Sequence, residues 1–160
     1  PPVVTALALH AKNLLASAGD DHIVRIWDLN KGGLIQRLEG HTDWVRSIAY
    51  SPKGDVLATA GNDKTIIFWD AITGEKLKVF VEHPQAITFI AFSPDGKYLA
   101  ATGFEDKVRL YDVTLGKLVL ELEGTCRDMR TLSFSPSNKY LAAGGRSGAV
   151  RVWNVETGEV

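Results

Sequence analysis

Two carboxylates on either side of an apolar run are the residues whose types and spacing first suggest catalysis in this chain. Asp63 and Asp70 flank the run IIFW, which ends in Trp69. Paired acids beside an aromatic ring are typical of glycosidase clefts. Acid pairs at the same spacing recur elsewhere: Asp21 with Asp28, and Glu105 with Asp112. Since an active site occurs once and a structural device recurs with a repeat, we interpret these acids as structural and predict a protein that is not an enzyme.

The repeat that contains these acids runs through the whole chain. Pairs of an aromatic residue and an acid or amide recur every 42 residues: Trp27-Asp28, Trp69-Asp70, Tyr111-Asp112 and Trp153-Asn154. The same offset relates four glycines: Gly19, Gly61, Gly103 and Gly145. A fixed period of this length is typical of stacked structural repeats. We treat residues 1–160 as one domain with copies at roughly 1–39, 40–82, 83–123 and 124–160.

Each copy has the pattern of four short β-strands. In the second copy the strand-like segments are 44–51, 56–61, 65–70 and 76–82, separated by turns rich in Gly, Pro, Asp and Asn. The third segment is apolar on both faces, which indicates cover on both sides. A lone four-stranded sheet cannot bury two faces, so the copies must stack. We predict an all-β fold, a β-propeller of four-stranded antiparallel blades.

The second copy resembles the WD-repeat family of β-propellers almost from end to end, through the pattern GHTDWVRSIAYSPKGDVLATAGNDKTIIFWDAITGE at residues 40–75. The resemblance extends over essentially the whole chain. It implies a hydrogen-bonded set in each blade: a His before the first strand, a Ser or Thr in the second, an Asp in the next turn and the Trp of the third. The residues at these positions are His41, Thr59, Asp63 and Trp69 in the second copy, and Ser17, Asp21 and Trp27 in the first.

The third and fourth copies depart from this set. The third has His83, Ala101, Glu105 and Tyr111 at the four positions, and the fourth has Thr125, Ala143, Ser147 and Trp153. We therefore expect these two blades to depend more on apolar packing. Three arginines lie two residues before the aromatic, and we expect their stems to pack on neighbouring aromatic rings: Arg25, Arg109 and Arg151.

The resemblance also implies where partners bind. WD-repeat proteins commonly dock partners on a top face, formed by the loop before the first strand and the turn between the second and third. The residues there that differ between copies are candidate contacts: Asp20, Trp44, Arg46, Asn62, Phe104, Arg127, Asp128, Arg130 and Arg146. Phe104 is the strongest of these candidates. Its ring either contacts a partner as an anchor or packs against its own blade beside Tyr111.

These observations favour a non-enzymatic scaffold that presents its top face to protein or peptide partners. The alternative is a ligand-sensing or regulatory module of a larger multidomain signalling protein. A formal net charge of −1 argues against bulk affinity for nucleic acid or anionic membranes. No apolar run reaches the roughly 20 residues of a membrane helix, and no glycine-rich phosphate loop or metal-ligand cluster occurs, so we expect no cofactor.

The cysteine count and the last copy complete the sequence-based expectations. Cys126 is the sole cysteine, which favours a reducing, intracellular compartment, cytoplasmic or nuclear. The last copy reaches only the start of a fourth strand, so we expect about four blades, the last without its outer strand. Such an arc would expose the apolar flanks of its end blades. We expect further blades of the same protein, or a second copy, to close the ring.

Overall fold

The chain folds into four small antiparallel sheets, here called blades 1 to 4. A computed structural model describes residues 2–81 and 83–160, which form fifteen strands and no helix. Blade 1 holds β1 (Val4–His10), β2 (Leu14–Gly19), β3 (Val24–Asp28) and β4 (Leu34–Leu38). Blade 2 holds β5 (Val45–Tyr50), β6 (Val56–Gly61), β7 (Ile66–Asp70) and β8 (Lys76–Phe80). Blade 3 holds β9 (Ile87–Phe92), β10 (Tyr98–Gly103), β11 (Lys107–Asp112) and β12 (Lys117–Glu123). Blade 4 holds β13 (Met129–Phe134), β14 (Tyr140–Gly145) and β15 (Val150–Asn154).

Within each blade the strands pair with their sequence neighbours, as short turns dictate. The turn after the third strand is closed by the acid or amide of the aromatic–acid pair. In blade 2, Asp70 Oδ1 accepts hydrogen bonds from the amides of Ile72 (2.9 Å) and Thr73 (2.7 Å). These two bonds hold the pKa of Asp70 below its ordinary value. Asp70 therefore serves as a turn cap.

The apolar cores lie between blades. Trp69, Leu57 and Ile67 of blade 2 pack against blade 1, whereas Ile66 and Phe68 of the same blade pack against blade 3. Alternate residues of one strand thus serve two different cores. We call the side of a blade turned to the preceding blade its backward face and the other side its forward face.

The predicted architecture is confirmed. The fold is all-β, blades 1 to 3 are four-stranded and antiparallel, and the blades stack as part of a β-propeller. Blade 4 has three strands among the described residues. The flanks at the two ends of the arc are open: Leu7 on blade 1 is 61% exposed and Val150 on blade 4 is 72% exposed.

A glycine at the end of each second strand sets the geometry of the top face. The amide of Asn62 donates to the carbonyl of Trp44 at 2.9 Å. A Cβ on Gly61 would lie only 2.0 Å from that same oxygen. A Cβ on Gly19, Gly103 or Gly145 would likewise lie 1.8–2.2 Å from the opposite carbonyl oxygen. The repeated glycine is therefore needed for this close backbone approach.

Blade 4 offers a matched pair of substitutions that tests the role of the glycine. A Cβ on Gly145 would lie 2.2 Å from the carbonyl oxygen of Asp128, whereas a Cβ on Gly144 would meet nothing closer than 3.7 Å. We expect Gly145→Ala to lower the free energy of unfolding by about 1–3 kcal/mol, because backbone must shift. Gly144→Ala should leave it unchanged or raise it by about 0.5 kcal/mol. Urea denaturation of both variants measures the difference, and equal midpoints would contradict it.

Candidate functional site

A chain of hydrogen bonds in blade 2 ties the top of the blade to its core. Trp69 Nε1 donates to Thr59 Oγ1 (2.8 Å), and Thr59 Oγ1 lies 2.7 Å from His41 Nε2. His41 Nδ1 lies 2.7 Å from a carboxylate oxygen of Asp63. Since an ionised carboxylate only accepts, Nδ1 carries the proton of the hydrogen bond to Asp63. Each of these four side chains thus has a hydrogen-bond partner in a site shielded from water.

Asp63 connects these hydrogen-bonded side chains to the backbone of the top loops. Its carboxylate also accepts from the amides of Thr42 (3.0 Å) and Thr65 (3.1 Å). Burial alone would raise the pKa of Asp63, but the hydrogen bonds from His41 and the two amides outweigh it and lower the pKa. The ionised Asp63 therefore fixes the loop before β5 against the turn between β6 and β7.

Blade 1 holds its acid in a different way. Trp27 Nε1 donates to Ser17 Oγ at 2.8 Å, as in blade 2. Asp21, however, is bound by Arg25 through two hydrogen bonds, of 2.5 and 3.1 Å. The hydrogen bond from Arg25 holds the pKa of Asp21 below its ordinary value. Arg25, on β3, thus binds the acid of blade 1 as His41 binds the acid of blade 2.

Blade 3 combines both solutions in a buried charged cluster. His83 Nδ1 lies 3.0 Å from Glu105 Oε1, and Arg109 hydrogen-bonds the same carboxylate. Arg109 Nε also donates to Glu121 at 3.0 Å. Ala101 stands where blade 2 has its threonine, and His83 Nε2 has no hydrogen-bond partner among the described residues. Blade 3 was expected to depend on apolar packing; the structure instead shows an ionic cluster.

The three arginines on the third strands have polar partners that the sequence interpretation did not foresee. Arg25 and Arg109 each bind the acid four residues earlier. Arg151 donates to the carbonyls of Glu123 (2.9 Å) and Gly124 (3.0 Å). In both pairs the acid lies in the turn before the third strand and the arginine lies on that strand. The two-residue alternation of a strand does not extend into the turn, so it did not reveal this pairing.

The same backbone hydrogen bond positions the four variable top-face residues. In each blade the amide of the variable residue donates to the carbonyl before the first strand. The four bonds are Asp20 to Val3 (3.2 Å), Asn62 to Trp44 (2.9 Å), Phe104 to Ala86 (3.1 Å) and Arg146 to Asp128 (3.0 Å). The backbone is thus the same at all four places while the side chain differs at each.

On blade 2 the variable side chains contact one another. Arg46 Nε donates to Asn62 Oδ1 at 2.6 Å, and the Arg46 guanidinium lies 5.4 Å from the centre of the Trp44 ring. Trp44 remains 42% exposed. The guanidinium is held by both contacts, so the indole is presented beside a fixed cation.

A second group of top-face residues joins blades 3 and 4. The Arg130 guanidinium of blade 4 lies 5.8 Å from the centre of the Phe104 ring of blade 3. Arg130 also binds both carboxylate oxygens of Asp128, at 2.5 and 2.8 Å. This pairing lowers the pKa of Asp128. Phe104 is 39% exposed, while the Tyr111 ring packs on Phe80.

The remaining top-face candidates differ in whether their side chains bind neighbouring loop residues or extend into solvent. Asp20 accepts a hydrogen bond from the amide of Val3 at 2.9 Å, which fixes the start of β1. Arg127 lines a shallow pocket beside Phe104. The Arg146 side chain is 81% exposed, and its nearest acid oxygen, on Asp128, lies 3.9 Å away. The structure therefore brings Phe104 together with Arg127 and Arg130 of blade 4, while Arg146 lies beside Asp128.

The side chains in contact on this surface are aromatic rings and guanidinium groups. Within residues 2–81 and 83–160, no group of three His, Cys, Asp or Glu side chains is placed to hold a metal ion. The same residues include no helix of the length and apolar character needed to span a membrane. Cys126 lies in the loop before β13, where backbone hydrogen bonds from Asp128 and Ser147 lower the pKa of its thiol to about 7.

Comparison with known proteins decides the family. The model described as WD domain, G-beta repeat matches the chain four times, over residues 2–28, 32–70, 74–112 and 116–154. The chain belongs to the WD40 repeat family. Each match after the first begins before the outer strand of one blade and ends on the third strand of the next. The family unit is therefore shifted by one strand relative to the blade.

Several fungal proteins named nuclear distribution protein PAC1 are similar to part of the chain. The protein of Coccidioides posadasii is 50% identical over 42 residues, which are 26% of this chain and 9% of the relative. Those of Arthroderma benhamiae and Trichophyton verrucosum are each 45% identical over 53 residues, 33% of this chain and 12% of the relative. The similarity thus spans about a tenth of the length of these relatives.

The hydrogen-bond sets predict different costs for equivalent substitutions in blades 2 and 4. Asp63 accepts from His41 and two loop amides, whereas Ser147 is exposed and its hydroxyl hydrogen-bonds Thr125 (3.2 Å) and the amide of Ala149 (3.3 Å). Asp63→Ala should lower the free energy of unfolding by about 2–4 kcal/mol, since buried donors lose their acceptor. Ser147→Ala should cost at most about 0.5 kcal/mol. Equal losses in denaturant midpoint would contradict this assignment.

The lowered pKa of Asp63 adds a pH dependence to the same comparison. A carboxyl whose pKa is lower in the folded state stabilises the fold above its unfolded pKa, here near the ordinary 3.8. That contribution is lost as the pH falls through the folded value. The stability difference between the parent chain and Asp63→Ala should therefore shrink on acidification below about pH 4. Thermal melts from neutral to acid pH measure it, and a difference that stays constant would contradict it.

Proposed function

We propose that this WD40 chain is a rigid scaffold that binds protein or peptide partners through its top face. The observation that carries the proposal is the contrast at one structural position in four blades. Identical backbone bonds present Asp20, Asn62, Phe104 and Arg146. Positions that only maintain the blade repeat their residue, as the four glycines before them do. A position with fixed backbone and different side chains is suited to recognition.

Phe104 and the neighbouring arginines are the contact residues we propose for a partner. Exposed aromatic and arginine side chains contribute most of the binding energy at protein interfaces. Phe104 is already oriented by Arg130, so its ring loses little conformational freedom on binding. Trp44 with Arg46 offers the same combination on blade 2.

We further propose an intracellular location and a non-enzymatic role for the protein. An intracellular location, cytoplasmic or nuclear, is supported by the single Cys126 and by the name nuclear distribution protein carried by the fungal relatives. We infer a non-enzymatic role without a cofactor, since the acids that resemble a catalytic pair cap turns or hold top loops. The open flanks at both ends of the arc would be covered by further blades or by a second copy.

Partner capture with a double variant tests the top-face proposal. The tagged chain and its Phe104→Ala, Arg146→Ala variant are used as baits, and bound proteins are quantified by mass spectrometry. We expect at least one protein retained by the parent to fall about tenfold or more, as loss of an interface anchor costs 1.4 kcal/mol or more. An unchanged set of bound proteins would overturn the proposal.

A matched control uses the opposite end of the blades. Ile72, in the turn between β7 and β8, is 52% exposed and distant from the top loops in its blade. Ile72→Ala removes a similar apolar side chain and should leave binding of the same partners unchanged. If this control lost the same partners, the loss would reflect general surface adhesion and would also contradict top-face binding.

A further inference from the structure

A bulge near the start of each first strand carries one residue outside the regular pairing, and the four bulge residues make different contacts. Strand register places at this position Thr5, Arg46, Thr88 and Arg130. A bulge re-aims the side chain relative to the alternation of the strand. Thr5 and Thr88 each donate to a backbone carbonyl of the next blade, Thr88 to that of Met129 at 2.8 Å. These two hydroxyls therefore join neighbouring blades.

The bulge arginine of blade 4 shows which group an arginine binds at this position. Arg130 Nε and Nη2 donate to the two carboxylate oxygens of Asp128, at 2.5 and 2.8 Å. Asp128 lies two residues before the arginine, in the loop that leads into β13. The planar guanidinium matches a carboxylate through two parallel hydrogen bonds, which makes this a strong and directional pair. Blade 4 thus supplies its bulge arginine with a carboxylate from its own loop.

The bulge arginine of blade 2 has no such carboxylate. Trp44 occupies the position of Asp128, two residues before the arginine. Arg46 forms no ion pair with any residue in 2–81 or 83–160. Its Nε donates to the amide oxygen of Asn62 at 2.6 Å, and neither Nη group donates to a described residue. The guanidinium is therefore oriented by neutral groups, while its charge and two of its nitrogens remain available.

The acids of the neighbouring top loops bind other groups. Asp43 accepts from the amide of the residue that follows it at 2.7 Å, and Asp20 accepts from a backbone amide near the start of blade 1 at 2.9 Å. Asp63 is bound within the hydrogen-bonded set of blade 2. None of the three is within ion-pair distance of Arg46. Because these acids repel a polyanion such as nucleic acid, they favour a peptide with an isolated carboxylate.

We propose that Arg46 and Trp44 bind an Asp or Glu side chain of a partner peptide. This inference rests on the proposed top-face binding and names the chemistry of the partner. Arg46 receives the carboxylate on its two Nη groups, in place of the carboxylate that Asp128 supplies to Arg130. The apolar part of the partner residue packs on the indole of Trp44, which is 42% exposed. Because Asn62 and the indole already hold the guanidinium, little conformational freedom is lost on binding.

Peptide selection followed by removal of the two charges tests this assignment. A phage-displayed library of random peptides is selected against the parent chain, and peptides that no longer bind Trp44→Ala are synthesised. We expect each to contain an Asp or Glu whose replacement by the matching amide weakens binding to the parent by about 10–100-fold. In Arg46→Gln the same replacement should change the dissociation constant by less than about twofold, since the guanidinium that binds the carboxylate is absent. Fluorescence anisotropy measures each dissociation constant.

Arg37→Gln is the matched control for the loss of a positive charge. Arg37 is exposed on β4, the outer strand of blade 1, so its removal changes the net charge equally without touching the top loops. The peptides should bind this variant as they bind the parent, with the same dependence on their acid. An equal loss of that dependence would mean that long-range charge attracts the peptides, and it would overturn the proposal. Circular dichroism and cooperative melting check that each variant is folded.

The possible outcomes separate this inference from the top-face proposal. Peptides that depend on Trp44 but keep full affinity as amides would overturn carboxylate binding and leave top-face binding supported. Peptides that depend only on Phe104 and Arg146 would have the same two consequences, as would a peptide that binds only with phosphoserine in place of its acid. Peptides that bind every top-face variant as tightly as the parent would contradict both proposals.

Discussion

Every blade of this protein has two apolar faces, and this constraint governs the rest of the structure. In β7, Ile66 and Phe68 face one neighbour while Ile67 and Trp69 face the other. A four-stranded sheet with two apolar faces is stable only between two neighbours. Cores therefore form between blades, and the free energy of folding is shared between adjacent repeats. The same constraint explains why the exposed apolar residues of the end blades, such as Leu7 and Val150, are equivalent to buried residues elsewhere.

Stacking fixes the sheets, and the polar sets fix the top loops above them. One acid position is satisfied by His41 in blade 2, by Arg25 in blade 1 and by His83 with Arg109 in blade 3. The solutions differ, yet each fixes the turn between the second and third strands. The repeated glycine and its close carbonyl contact then set the backbone of the variable residue. A rigid frame with variable top residues is the physical basis of the proposed scaffold role.

The period of the sequence was sufficient to predict the blades, their strands and the open flanks, because residues one period apart occupy equivalent environments. Contacts between different side chains could not be predicted in this way. The pairing of Arg109 with Glu105, and of Arg130 with the Phe104 ring, depends on which groups are within reach in space. The β1–β2 turn is also one residue shorter than its counterparts, so Leu7 is equivalent to Ile48 at an offset of 41 rather than 42. A fixed period misses such a shift.

Amide hydrogen exchange, resolved by strand, tests most directly whether neighbouring blades stabilise one another. In dilute protein, the third strands β7 and β11, which have blades on both sides, should exchange slowest. Their counterpart β15 and the first strand β1, each open on one face, should exchange fastest among the third and first strands. Equal protection of all four blades at low concentration would contradict the account, because each sheet would then be stable without its neighbours.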